Sequence, residues 1–115
     1  MVSLREGIMD AWGGAIMAMR SGNKTQLLRP YVESIFQLLQ TIYNDPTRTE
    51  PLLRASMGVV GDLSEAFPNG EYSEYFRHEW LTAMARETRA NKDFSSRTND
   101  TARWAREQIK RQAGE

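Results

Sequence analysis

The stretch "NDTARWAREQIKRQ", Asn99 to Gln112, carries the side chain best suited to hold a ligand. At about 100° per residue, Ala102, Ala105, Ile109 and Ala113 fall on one apolar stripe. Trp104 stands off that stripe, among Glu107, Gln108 and Arg111. An indole face in that position can stack on a cation. It can equally fold over a neighbouring helix, and the pattern leaves both open.

Catalytic chemistry finds little to work with. His78 is the single histidine and there is no cysteine. Without a HExxH spacing or a serine placed by motif, neither a zinc site nor a nucleophilic triad can be assembled, and His78 reads as a surface residue. The carboxylate pairs Glu6 with Asp10 and Asp62 with Glu65 have ordinary helix-surface spacing, with nothing to raise a pKa toward acid catalysis. The expectation is therefore no enzyme, no metal and no cofactor. Trp80 shares a helical face with Phe76 and Met84 and reads as core, and Trp12 beside Gly13 and Gly14 reads as core or inter-helix packing. The methionines read as core filling.

Bulk properties narrow the partners. In 115 residues, 40% are hydrophobic and 26% charged, within the globular range. Fifteen basic residues balance fifteen acidic ones, which argues against a general polyanion binder. "ARWAREQIKR" could serve as a nucleic-acid arm, but its Ala/Ile face is built to dock, so no nucleic-acid partner is expected. No run is long and apolar enough for a membrane span, "AWGGAIMAM" being flanked by Asp10 and Arg20. The two glycosylation sequons, at Asn23 and Asn99, lack a secretory signal and read as chance matches.

The elements that must position these residues are helices. Helical periodicity predicts five segments, at about 3–21, 27–44, 50–67, 72–90 and 99–113, separated by "SGNKT", "NDPT", "FPNGE" and "NKDFSSRTND". No segment alternates with β-branched enrichment, so the fold class is all-α. In the second segment Leu28, Tyr31, Val32, Ile35, Leu38, Leu39 and Ile42 make a broad apolar arc. Glu33, Gln37, Gln40 and Asn44 hold the narrow polar side. The third segment is equally broad, and its small residues Ala55, Gly58 and Gly61 would admit another helix closely. Arcs this wide are expected where each helix pair is sandwiched between others, as in a solenoid.

A weak echo agrees. "SLREGIMDAWGGAIMAM" and "PLLRASMGVVGDLSEAF" align Leu4-Arg5 with Leu53-Arg54, a spacing of nearly fifty residues, at the upper edge for two-helix repeats. The expected organisation is a helix-pair repeat over 1–46, a second over 47–92, and a linker with a terminal capping helix over 93–115. An amphipathic helix begins almost at once, with no polar capping repeat before it. That N-terminal edge is expected to be a cut surface inside a longer array, prone to self-association.

"LLRASMGVVGDLSEAFPNG" followed by "DTARWAREQIKRQ", with "LREGIMDAW" and "PYVESIFQLLQTI" before them, resembles the C-terminal end of the importin-β (karyopherin-β) family. The likeness spans essentially the whole chain, and the last phrase is its most specific part. It implies a HEAT-repeat α-solenoid of two helix pairs plus a C-terminal helix, from a receptor that shuttles between cytoplasm and nucleus. It implies three partners: the basic N-terminal segment of importin-α, phenylalanine-glycine repeats of nucleoporins, and Ran-GTP, the last mainly through repeats absent here. In that family the second helix of each repeat lines the inner surface, which makes Glu33, Gln37, Gln40, Asn44, Glu79 and Thr82 candidate contacts to the basic segment. Trp104 matches a tryptophan of the family's last helix, with Glu107 one turn along as charge partner. Arg86 and Arg89 fall on the same face as Glu79 and Thr82 and would repel a basic ligand there. The resemblance leaves open nucleoporin binding on the outer side, or a scaffold role as end cap with no ligand.

Overall fold

The computed structural model describes residues 4–114, and among them only helices and turns occur. The elements are α1 (Leu4–Ser21), a 3₁₀ segment (Thr25–Tyr31), α2 (Val32–Asn44), α3 (Glu50–Ala66), a short α4 (Ser73–Phe76), α5 (Glu79–Ala90) and α6 (Ser96–Ala113). No helix among the described residues is long and apolar enough to cross a membrane. Two boundaries differ from the periodicity. The α-helical part of the second segment starts only at Val32, because Pro30 has no N–H to give to an α-helical ladder and the chain before it winds as 3₁₀. The fourth segment breaks at His78, whose backbone is extended at φ −62°, ψ 131°.

The helices lie in two layers. α3 packs between α1 and α6 in one layer, and α5 packs against α2 in the other while also backing α6. α3 and α6 begin at residues 50 and 96, a step of 46. That step is within the range of two-helix solenoid repeats. α6 occupies the place of a first helix in a third repeat. Across these steps the polar contacts keep the register: Arg20 with Asp62 and Glu65 at 3.6 and 2.7 Å, Arg54 to Thr98, Ser64 to Gln108, Tyr43 to Glu87.

The junction of α3 and α6 is the tightest in the molecule. The six-membered ring of Trp104 lies directly on Gly61, so close that a Cβ there would come within 2.2–2.6 Å of three ring carbons. Below it, Ser64 Oγ donates to Gln108 Oε1 at 2.9 Å. Gln112 Nε2 reaches Ser64 O at 3.1 Å and Phe67 O at 3.0 Å. Ser64, Gln108 and Gln112 are all buried. Gln112 thus serves carbonyls at the end of α3 that have no partner within their own helix. At the other end Glu50 Oε2 accepts from Ser95 N, Ser95 Oγ and Thr98 Oγ1 at 2.8, 2.9 and 2.6 Å, tying the first turn of α3 to the start of α6. Both helices run the same way, held at both ends.

Those hydrogen bonds, Thr98's first and then Ser95's, hold the Glu50 carboxyl below its ordinary value of 4.5. Because the folded value is the lower one, its stabilisation is fully present above the ordinary value and lost as pH falls through the folded one. Thermal melts of the parent and Glu50→Gln should differ near neutral pH and converge in strong acid; a gap that persists in acid would assign the effect to something other than the carboxylate's charge.

The indole contact yields a second expectation. Gly61→Ala should cost about 1–3 kcal/mol through overpacking, and Trp104→Ala about 2–3 kcal/mol, below the range of a fully buried aromatic. In the Trp104→Ala background, Gly61→Ala should instead gain roughly 0.5–1 kcal/mol, the ordinary helix preference for alanine. Denaturant titrations of the four proteins check this; an equal cost in both backgrounds would mean the ring is not what requires glycine.

Candidate functional site

The break at His78 determines what faces the second layer. In one unbroken helix Phe76 and Trp80 would share a face. With the break, Phe76 is buried, its ring edge-on to Phe36 at 5.2 Å, while Trp80 turns to the molecule's flank and is half-buried. Trp80 stacks on His78 with centroids 5.9 Å apart and an interplanar angle of 20°, and sits 6.3 Å from Tyr43. Tyr75 stacks on Phe36 at 5.1 Å. Glu33, Phe36, Gln37 and Gln40 of α2, with Tyr75, His78 and Trp80, line a small open cleft of about 180 Å³.

One wall of this cleft is braced. Tyr43 donates its hydroxyl to Glu87 at 3.1 Å, and that bond raises the phenol's pKa. Arg48 spans the same carboxylate at 3.5 Å and lies 5.0 Å over the Tyr43 ring. Tyr43, which Trp80 packs against, is thereby fixed in place. The cleft offers aromatic faces, two side-chain amides and the carboxylate of Glu33. Such a set can hold a guanidinium or ammonium group by stacking, hydrogen bonds and charge. Among the described residues no group of acidic or imidazole side chains is placed to hold a metal.

The residues singled out from sequence divide between different surfaces. Glu33, Gln37 and Gln40 come together in the cleft. Asn44 is exposed a turn beyond it and Glu79 is exposed beside the His78–Trp80 stack. Thr82 faces another cavity, with Arg106 and Lys110. Trp104 and Glu107 belong to the other layer: Glu107 is exposed, and Trp104 is half-buried over Gly61 rather than standing free in solvent. Sequence reasoning passed over Tyr75, His78 and Trp80. The only signal was the charged run Arg77-His78-Glu79 interrupting the apolar face, with no glycine or proline to mark a break.

On the outer side of α1 and α3 lies a second feature, a shallow groove of about 550 Å³. Gly13, Gly14, Ala55 and Gly58 leave its floor low, Glu6, Asp10 and Asp62 make its rim acidic, and Arg97 and Thr101 of α6 close one end. Burial raises the pKa of Asp62, with Arg20 opposing and Glu65 adding to the shift.

The fold matches that of solved structures. A crystal structure of importin beta in an ammonium sulfate condition superposes with a TM-score of 0.94 at 66% identity, over 96% of this chain and 13% of that one. The family model described as "Importin subunit beta-1-like, TPR repeats" matches residues 1–89. The chain belongs to the importin-β family. Among curated members, importin subunit beta-1 of Schizosaccharomyces pombe is 46% identical over 111 residues, which is 96% of this chain and 13% of that protein. A solved Kap95:Nup1 complex also matches, at 35% identity and a TM-score of 0.89 over 96% of this chain and 13% of that chain. The chain thus spans about an eighth of the length of these importin-β relatives. Its stacked helix pairs are a piece of that family's HEAT-repeat solenoid.

Proposed function

We propose that this importin-β segment grips a basic peptide, such as the N-terminal segment of importin-α, on its second-helix layer during nuclear protein import. The observation that supports it is the convergence of Glu33, Gln37 and Gln40 with the rings of Tyr75, His78 and Trp80 in one cleft. A lysine or arginine side chain would stack on Trp80 while its charge meets Glu33, a contact worth about 0.5–2 kcal/mol depending on desolvation. Asn44 and Glu79 extend the same face at either side. Trp104 and Glu107 would touch such a ligand only where it passes α6. The receptor would shuttle between cytoplasm and nucleus and release its ligand to Ran-GTP bound on other repeats.

The outer groove supports a second reading. Its low, small-residue floor between adjacent first-layer helices is suited to insertion of a phenylalanine side chain from nucleoporin repeats. Leu4, Met17, Leu27 and Tyr31 are exposed apolar side chains on α1 and the 3₁₀ segment, where another helix pair or a second copy could stack. Analytical ultracentrifugation over a concentration series tests the second copy, and a monomer throughout would remove it.

Titration of the labelled chain with the basic importin-α segment, followed through amide and indole N–H signals by NMR, separates the readings. Shifts should appear at Trp80 and along Glu33–Gln40, with the indole of Trp104 moving less. Trp80→Leu and Glu33→Gln should each weaken binding by about threefold to tenfold. Shifts confined to Gly13, Gly14 and Gly58 on adding a phenylalanine-glycine peptide would favour the outer groove. Silence with both peptides would leave the segment as a scaffold of the solenoid.

A further inference from the structure

Beside the C-terminal helix of this chain, α4, α5 and α6 enclose a cavity of about 290 Å³ lined by Phe76, Arg77, Thr82, Arg106, Ile109, Lys110 and Ala113. Three cations stand around it and no carboxylate lines it. Among the described residues, none of Arg77, Arg106 and Lys110 is engaged in an ion pair; the arginines that are paired lie elsewhere. The Nε of Arg106 is buried and has no acceptor. A guanidinium N–H withdrawn from water without a partner is costly, and a ligand oxygen is the group that would relieve it. The floor is apolar: Phe76 and Ile109 are buried in the core with only their outer edges toward the cavity. The same polarity continues along α5, where Arg86 is exposed and Arg89 also buries an Nε without an acceptor.

We propose that this cavity is a docking site for an acidic peptide segment. An apolar side chain enters against Phe76 and Ile109, and the carboxylates on either side of it meet Arg106 and Lys110 within and Arg77 at the mouth. Thr82 supplies a hydroxyl to the peptide backbone or a carboxylate. The split of apolar floor and cationic rim favours a peptide over a bare oxyanion, because phosphate would gain nothing from the floor and would strip it of no water. A basic segment is repelled here. The two sites therefore select opposite charges: the cleft at Glu33 and Trp80 takes cations, and the cavity at Arg106 takes anions.

A fluorescent peptide of aspartate and glutamate around one leucine, titrated into the full 115-residue chain by anisotropy, tests the assignment. It should bind in a salt-sensitive manner, and replacing its leucine by serine should weaken binding at least several-fold. Lys110→Glu and Thr82→Glu, two partly exposed positions, should each weaken it, and Arg106→Gln roughly threefold to fivefold. Circular dichroism of each variant checks that the helices persist, and the Thr82 and Lys110 variants keep the test decisive if Arg106→Gln unfolds. Trp80→Leu and Glu33→Gln should leave acidic-peptide binding unchanged, so this site and the cationic cleft stand or fall separately. No binding would overturn the proposal, as would binding unaffected by the Lys110 and Thr82 variants. Competition by inorganic phosphate as effective as by the peptide, with no effect of the leucine, would overturn the peptide assignment.

Discussion

The contact of the Trp104 ring with the bare backbone of Gly61 determines how closely α6 approaches α3, and much else follows from that distance. At this spacing Gln108 and Gln112 reach Ser64 and the last carbonyls of α3, and Glu50 reaches the first turn of α6. A methyl group at position 61 would push the helices apart and stretch both sets of bonds at once. The junction is polar inside because helix ends carry unpaired backbone groups. Buried amides and a carboxylate from the neighbouring helix satisfy them, which fixes register along the axis as apolar packing alone would not.

That register repeats. The packing of α3 between α1 and α6 sets which side chains oppose one another. Arg5 pairs with Asp45 within the first repeat, while Arg20 with Glu65, Arg29 with Glu71 and Arg48 with Glu87 cross between repeats. Each is at least partly exposed, so each contributes little by itself. Their larger effect is on what remains. A chain with zero net charge spends four of its fifteen acidic residues on these pairs. Glu33 is left beside the aromatic cleft and Arg77, Arg106 and Lys110 around the end cavity. Neutral composition thus conceals faces of opposite sign.

Much of the architecture was legible from residue order. Broad apolar arcs on the second and third segments announced helices with neighbours on more than one side, and the small residues at 55, 58 and 61 announced a close approach. Candidate contacts on α2 were readable because one unbroken helix keeps its polar strip on one line. Those on the fourth segment were not: a helix that breaks at His78 without proline or glycine rotates everything after it. Trp80 accordingly sits at the cleft, where an uninterrupted periodicity would have placed it with Phe76.

By itself the sequence determined the helical class, the layered stacking and, through its phrases at 52–70 and 100–112, the importin-β family. Those features depend on local periodicity, turn residues and short motifs, all of which are written within a few turns of chain. Tertiary structure alone decided the seating of Trp104 on Gly61, the pairing of the glutamines with the end of α3, and the tie of Glu50 to the start of α6. Each of these depends on residues more than forty positions apart meeting at an ångström-scale distance. Helical phase predicts which way a side chain points, but only the packed neighbour decides whether it meets water, a glycine or another ring.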